Sequence, residues 1–142
     1  MKFKFLPHTA DVIFEAHGKT LEEMFENSGL ALEEIMVNTE TVGKNEHFEI
    51  IIESKEVETL LYDFLSELLF VKDTEGLLFN KFEITIICKN KQYELLAKCT
   101  GDYIKREKQE LRDDAKAITL HEFEIKQDKK KGRWIAKVLV DI

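Results

Sequence analysis

The residues best suited to chemistry in this 142-residue chain are oxygen donors near its two ends. His8-Thr9-Ala10-Asp11 forms a polar break between apolar segments, and Asp141-Ile142 closes a strand-like run. An Asp side chain followed by the terminal carboxylate of Ile142 would offer two anionic groups within one residue. Clusters of oxygen ligands suit hard cations such as Ca²⁺ or Mg²⁺. Asp141 falls on the alternate face from Trp134, Ala136, Val138 and Val140, so its side chain need not be buried among them. The same residues also fit a plain turn and a frayed end, and spacing alone favours that plainer reading. A third segment, Lys116-Ala117-Ile118-Thr119-Leu120-His121, sets a Lys at a strand start with a His at i+5. That pattern serves equally well as surface decoration.

The remaining chemistry is mostly excluded. The chain has no G-x-x-x-x-G-K-[ST] phosphate loop, no G-x-G-x-x-G and no G-x-S-x-G. Cys88 and Cys99 are too far apart for a C-x-x-C pair, and Cys99 shares an apolar strand face with Tyr93, Leu95 and Ala97, where it reads as packing. His17 and His47 read as solvated strand residues. Lys129-Lys130-Lys131 sits at an expected hairpin tip and most simply solubilises a sheet edge. The formal net charge of −7 argues against avid, sequence-independent binding to phosphate backbones. No apolar run approaches the roughly 20 residues that span a bilayer, and no signal-peptide pattern opens the chain. With two cysteines in all, a reducing cytoplasm is the expected compartment.

These residues must be positioned by a single domain, since 44% of the chain is hydrophobic and no linker or repeat interrupts it. Residues 2–6 and 12–17 alternate as short strands. Thr20-Leu21-Glu22-Glu23 is a capping-box signal, and Leu21, Met24, Phe25, Leu32, Ile35 and Met36 predict a helix to about Val37. Residues 46–53 predict a half-buried strand. Val57, Leu60, Leu61, Phe64, Leu65, Leu68 and Leu69 follow helical spacing without a miss. After Gly76, residues 82–86 and 93–99 alternate about a turn at Asn90-Lys91. Residues 102–115 are dense in charge and read as an exposed connection with one helical turn. Strands over 116–126 and 133–141 flank a turn at Asp128–Gly132. The expected fold class is α+β: two main helices packed on one mostly antiparallel sheet or cradled between two.

Several of these segments together resemble the archease family. They are His8-Thr9-Ala10-Asp11-Val12, Gly18-Lys19-Thr20-Leu21-Glu22-Glu23, Phe25-Glu26-Asn27, the run Leu60–Leu69, Lys116-Ala117-Ile118-Thr119-Leu120-His121 and Val140-Asp141-Ile142. The match follows the whole of residues 1–142 in order. It implies an accessory protein of the RtcB-type tRNA-splicing RNA ligase, with no turnover of its own. That protein would promote guanylylation of the ligase's active-site histidine and so allow multiple turnover, touching tRNA only indirectly. The resemblance further implies a divalent metal, Ca²⁺ or Mg²⁺, held by Asp11, Asp141 and Ile142, and a functional role for Lys116. An alternative role is that of a chaperone-like modulator of a tRNA methyltransferase. Two positions depart from the family pattern: Ile13 stands where Gly is common, and Leu120 where Tyr is common.

Overall fold

The computed structural model describes residues 2–6 and 11–142. Its alternating segments form two antiparallel sheets. One contains β1 (Phe3–Leu6), β2 (Val12–Gly18), β6 (Ala117–Asp128) and β7 (Arg133–Asp141) in the order β1-β2-β7-β6. The other contains β3 (Glu46–Ser54), β4 (Leu77–Lys89) and β5 (Gln92–Tyr103) in the order β3-β5-β4. Helices α1 (Leu21–Met36) and α2 (Val57–Glu75) lie between them, α1 against β2 and β4, α2 against β6 and β3. Of the two expected arrangements, the structure adopts the one in which the helices are cradled between sheets.

The local signals are realised in detail. The Thr20 side chain accepts from the Glu23 N–H at 3.1 Å, while Glu23 Oε1 accepts from the Lys19 N–H at 3.2 Å. The reciprocal bond thus reaches one residue further back than in a standard capping box. α2 ends at Gly76, whose φ of 67° is the left-handed conformation that glycine adopts without steric cost. Phe64 on α2 joins the layers, meeting Phe25 of α1 at 6.3 Å and Phe82 of β4 at 5.8 Å between ring centroids. Gly29 makes that approach possible, because a Cβ there would lie 2.9 Å from the Phe82 ring.

Two sequence expectations change. The segment 102–115 is not simply exposed: β5 runs through Tyr103, and Asp102, Gln109 and Ala115 are buried. Its single turn is present, with the Gln109 N–H donating to Lys105 O at 3.0 Å. The segment is held down because helix ends leave carbonyls without partners. The Arg112 and Asp113 N–H groups donate to Met36 O at 2.8 Å and Ile35 O at 3.1 Å, closing the C-terminus of α1. β6 also contains a wide irregularity. Pairing passes from Thr119↔Leu139 directly to Glu124↔Lys137, so residues 120–123 oppose one position. Glu122 takes φ 56°, Leu120 is thrown out to 70% exposure, and Phe123 turns onto the edge of Tyr62.

A helix between two sheets buries more than one stripe, and α1 buries Asn27, Ser28 and Glu33 along with its apolar residues. The Glu33 side chain is fully enclosed, with no hydrogen bond of good geometry on either oxygen. Burial pushes its pKa well above the carboxylate range, against the opposing pull of the Phe79 N–H and the Lys72 charge. A carboxyl kept neutral in the folded state, while the unfolded chain ionises, weakens folding as pH rises above the ordinary carboxylate value. The loss is roughly 1.4 kcal/mol per pH unit until the folded group ionises too. Thermal melts of Glu33→Gln and wild type should therefore diverge with pH, the variant gaining relative stability between pH 4.5 and 8. Parallel curves over that range would show that Glu33 is already charged in the fold.

Candidate functional site

The strand ladder settles where the sequence-predicted residues lie. β7 is an inner strand, paired to β2 through Val12↔Val140 and to β6 through Ala117↔Asp141. One step beyond these pairs, Asp11 comes level with Asp141, and Lys116 comes level with Ile142. The Lys116 N–H donates to Asp141 O at 2.7 Å, extending the ladder past the end of β6. Three chain segments distant in sequence therefore meet at one edge of one sheet. His8, Thr9 and Ala10 lie outside the described residues.

Burial separates the two faces of this edge. Val138 and Val140 point into the core, and Ile142 packs its side chain against the same core. Asp141 alternates to the other face, as the sequence pattern requires, and is half-buried there, as is Asp11. Ile13 and Leu139, paired with one another on that face, are both buried behind the two acids. The Ile13 side chain thus fills space that a glycine would leave open. Lys116 is exposed, as expected for a strand start.

A further side chain, which the sequence did not single out, fixes this edge. Lys72 in the last turn of α2 is 8% exposed and saturates its ammonium group. It donates to Asp114 Oδ1 at 2.6 Å and to the Ala115 carbonyl at 2.9 Å, and pairs with Asp73 at 2.9 Å. Burial works against its charge, yet Asp114 and Asp73 more than compensate and hold its pKa above the usual lysine range. Because Ala115 precedes Lys116, α2 thereby holds the backbone from which Lys116 projects. The available sequence signal was only that a cation suits a helix C-terminus.

His17 departs from its expected solvated state: it is 8% exposed at the opposite end of β2. Its Nε2 bonds Glu15 Oε1 at 2.9 Å, its Nδ1 faces Arg133 Nη1 at 3.4 Å, and its carbonyl accepts from Asn27 Nδ2 at 2.6 Å. The cause is the closure of α1 over the end of β2. Cys99 is buried, as expected, and burial pushes its thiol up to about 12, which keeps it protonated and inert. Among the described residues no three His, Cys, Asp or Glu side chains gather as a metal cluster. The oxygen donors at the β2–β7–β6 edge are instead two Asp side chains and the main chain of Ile142, a donor set whose chemistry fits a hard cation.

The domain is thus an α+β sandwich of helices between sheets, with its candidate groups gathered at the end of β7 where β2 and β6 flank it. Comparison with known proteins gives this class a family. The model of the archease protein family matches residues 3–142, and the chain belongs to that family. A protein archease of Pyrococcus abyssi is 40% identical over 135 residues, covering 95% of this chain and 94% of its own. That of Methanothermobacter thermautotrophicus is 42% identical over 140 residues, covering 99% and 98%. The solution structure of Methanobacterium thermoautotrophicum protein 1598 matches with a TM-score of 0.88 at 41% identity, over 99% of each chain.

The Lys72 anchor makes a local prediction. Lys72→Met should leave the Ala115 carbonyl without its donor and loosen the start of β6. The Lys116 amide should then exchange with solvent at least about tenfold faster, while amides of β4 and β5 keep their protection. Equal protection at Lys116 in both proteins would remove Lys72 from the account of this edge.

Proposed function

We propose that this chain is an accessory protein of an RtcB-type RNA ligase and has no turnover of its own. In this reading it supports guanylylation of the ligase's active-site histidine and so permits repeated rounds of joining, reaching tRNA through the ligase. The observation that supports it best is the convergence of Asp11, Asp141, Ile142 and Lys116 on one open edge of a chain that belongs to the archease family.

Asp11, Asp141 and the main-chain oxygens of Ile142 would hold a divalent cation, Ca²⁺ or Mg²⁺. When bound, that ion supplies positive charge that can neutralise phosphate oxygens. The work of this chain's own residues follows from their placement. Nucleotidyl transfer to an imidazole depends on holding phosphates and nucleophile in line. A rim can enter another protein's active centre where a recessed pocket cannot. The exposed Lys116 ammonium would meet phosphate oxygens or an acidic group of the ligase. The main-chain bond from Lys116 to Asp141 ties the backbone that carries this side chain to the end of β7.

The test is ligation with the enzyme held well below its RNA substrate. Adding this protein should turn a single round of joining into many. Lys116→Ala and Asp141→Asn should each reduce that stimulation by about tenfold or more, with unchanged thermal melts in the absence of metal. Equal yields with and without the protein, over several ligase equivalents, would contradict the reading.

A further inference from the structure

The far end of the same sheet has the opposite chemistry. β1 begins there, β2 ends there, β7 begins there, and the turn between β6 and β7 projects from it. β2 has seven residues, so this end lies roughly 20 Å from Asp11 at about 3.3 Å per residue. An open cleft of about 400 Å³ is lined there by Lys4, His17, Gly18, Lys19, Glu23 and Arg133. Arg133 pairs with Asp128 in the β6–β7 register, so Lys129, Lys130 and Lys131 stand directly beside the cleft.

Three acids at this end, Glu15, Glu23 and Asp128, already have hydrogen-bond partners. Glu15 is shared by Lys4 at 3.4 Å and His17 at 2.9 Å. Glu23 accepts from the Lys19 backbone N–H, and Asp128 accepts from the backbone N–H groups of Lys130 and Lys131 at 3.2 Å. The cations are not committed in the same way. Among the described residues no carboxylate pairs with Lys19, Lys129, Lys130, Lys131 or Arg133. Among the described residues the Arg133 Nε–H is buried without an acceptor, and its Nη1 faces the Nδ1 of His17 at 3.4 Å. His17 Nε2 bonds the Glu15 carboxylate, so its Nδ1 is the ring atom that faces the guanidinium. That arrangement orients the guanidinium without cancelling its charge.

We propose that this edge is a binding site for the phosphodiester backbone of a single-stranded nucleic acid. The recessed guanidinium of Arg133, with Lys19 across the cleft, receives one phosphate, and the lysines of the hairpin tip follow its neighbours. A planar guanidinium matches the paired oxygens of a phosphate, whereas lysines at a turn act as mobile point charges suited to a chain. The overall charge of −7 averages over the surface and conceals this segregation. The site reads charge and spacing, not base identity, so it takes RNA and DNA alike. It goes beyond the indirect contact with tRNA in the functional reading and stands without it, because no ligase is needed for binding.

Fluorescence anisotropy with labelled 12-nucleotide RNA and DNA tests the assignment on the whole chain. Binding at 50 mM KCl should be tighter than about 10⁻⁴ M, within the usual range for charge-driven contacts. Log affinity should fall with log salt at a slope of about −2 to −3, as three or four phosphate contacts require for single strands. Lys129→Glu/Lys130→Glu/Lys131→Glu, placed at an exposed tip, should weaken binding at least tenfold without altering the thermal melt. Arg133→Gln and Lys19→Gln should each weaken it about threefold or more, and Lys116→Ala at the other edge should not change it. Absence of binding up to 1 mM protein, or affinity indifferent to both the tip and the cleft variants, would overturn the proposal. So would polyaspartate competing as well as RNA, since the edge would then recognise an acidic protein surface.

Discussion

The backbone ladder of β7 is the interaction on which the rest depends. β7 is paired on both sides, so its register with β2 and β6 fixes two other segments of the chain at once. A slip of one residue would turn Asp141 onto the core face and Val138 and Val140 out of it, and would shift Asp11 and Lys116 out of level with the end of β7. The burial of Ala136, Val138 and Val140 on one face makes such a slip prohibitive. The geometry of the carboxylate edge is therefore set by core packing, even though its functional groups lie outside the core.

The second constraint is the placement of both helices between sheets. It explains why the C-termini of α1 and α2 must be closed by the segment after β5, which has no regular structure of its own. Arg112 and Asp113 cap α1, and Lys72 of α2 grips Asp114 and Ala115. That double attachment ends at the start of β6, next to Lys116. It also explains Glu33, a carboxyl enclosed on a helix that has no solvent face along part of its length. Along the strand axis of the four-stranded sheet, Asp11 and Asp141 lie at one end and Lys19, Arg133 and the lysines of the β6–β7 turn at the other, some 20 Å apart by strand length.

Much of this was legible in the sequence because periodicity reports burial directly. The α2 stripe, the alternation in β3, β4 and β5, and the turns at Asn90-Lys91 and Asp128–Gly132 all appear where their patterns place them. The alternation of Asp141 away from Val140 was legible for the same reason. Juxtaposition was not. Nothing in local spacing says that residue 11 lies level with residue 141, since that depends on strand order; only the family resemblance associated them. Lys72 and Glu33 were missed because both look like ordinary polar residues on an amphipathic helix, and only distant segments enclose them: residues 114–115 over Lys72, and β4 beside Glu33. His17 was misread for a related reason: α1 folds back over the strand end that carries it. The irregularity at residues 120–123 leaves no local signal either, since no glycine or proline marks it.

The central proposal is that Asp11, Asp141 and Ile142 hold a cation at the strand edge from which Lys116 projects. The most direct measurement is paramagnetic broadening of backbone amide signals by substoichiometric Mn²⁺, an ion that shares the preference for oxygen ligands. The account predicts selective loss of signals from residues 11–12, 116–117 and 140–142, reversed by excess Mg²⁺, with residues 17–19 and 133–134 unaffected. Broadening spread evenly over the acidic surface, or centred away from the end of β7, would contradict it.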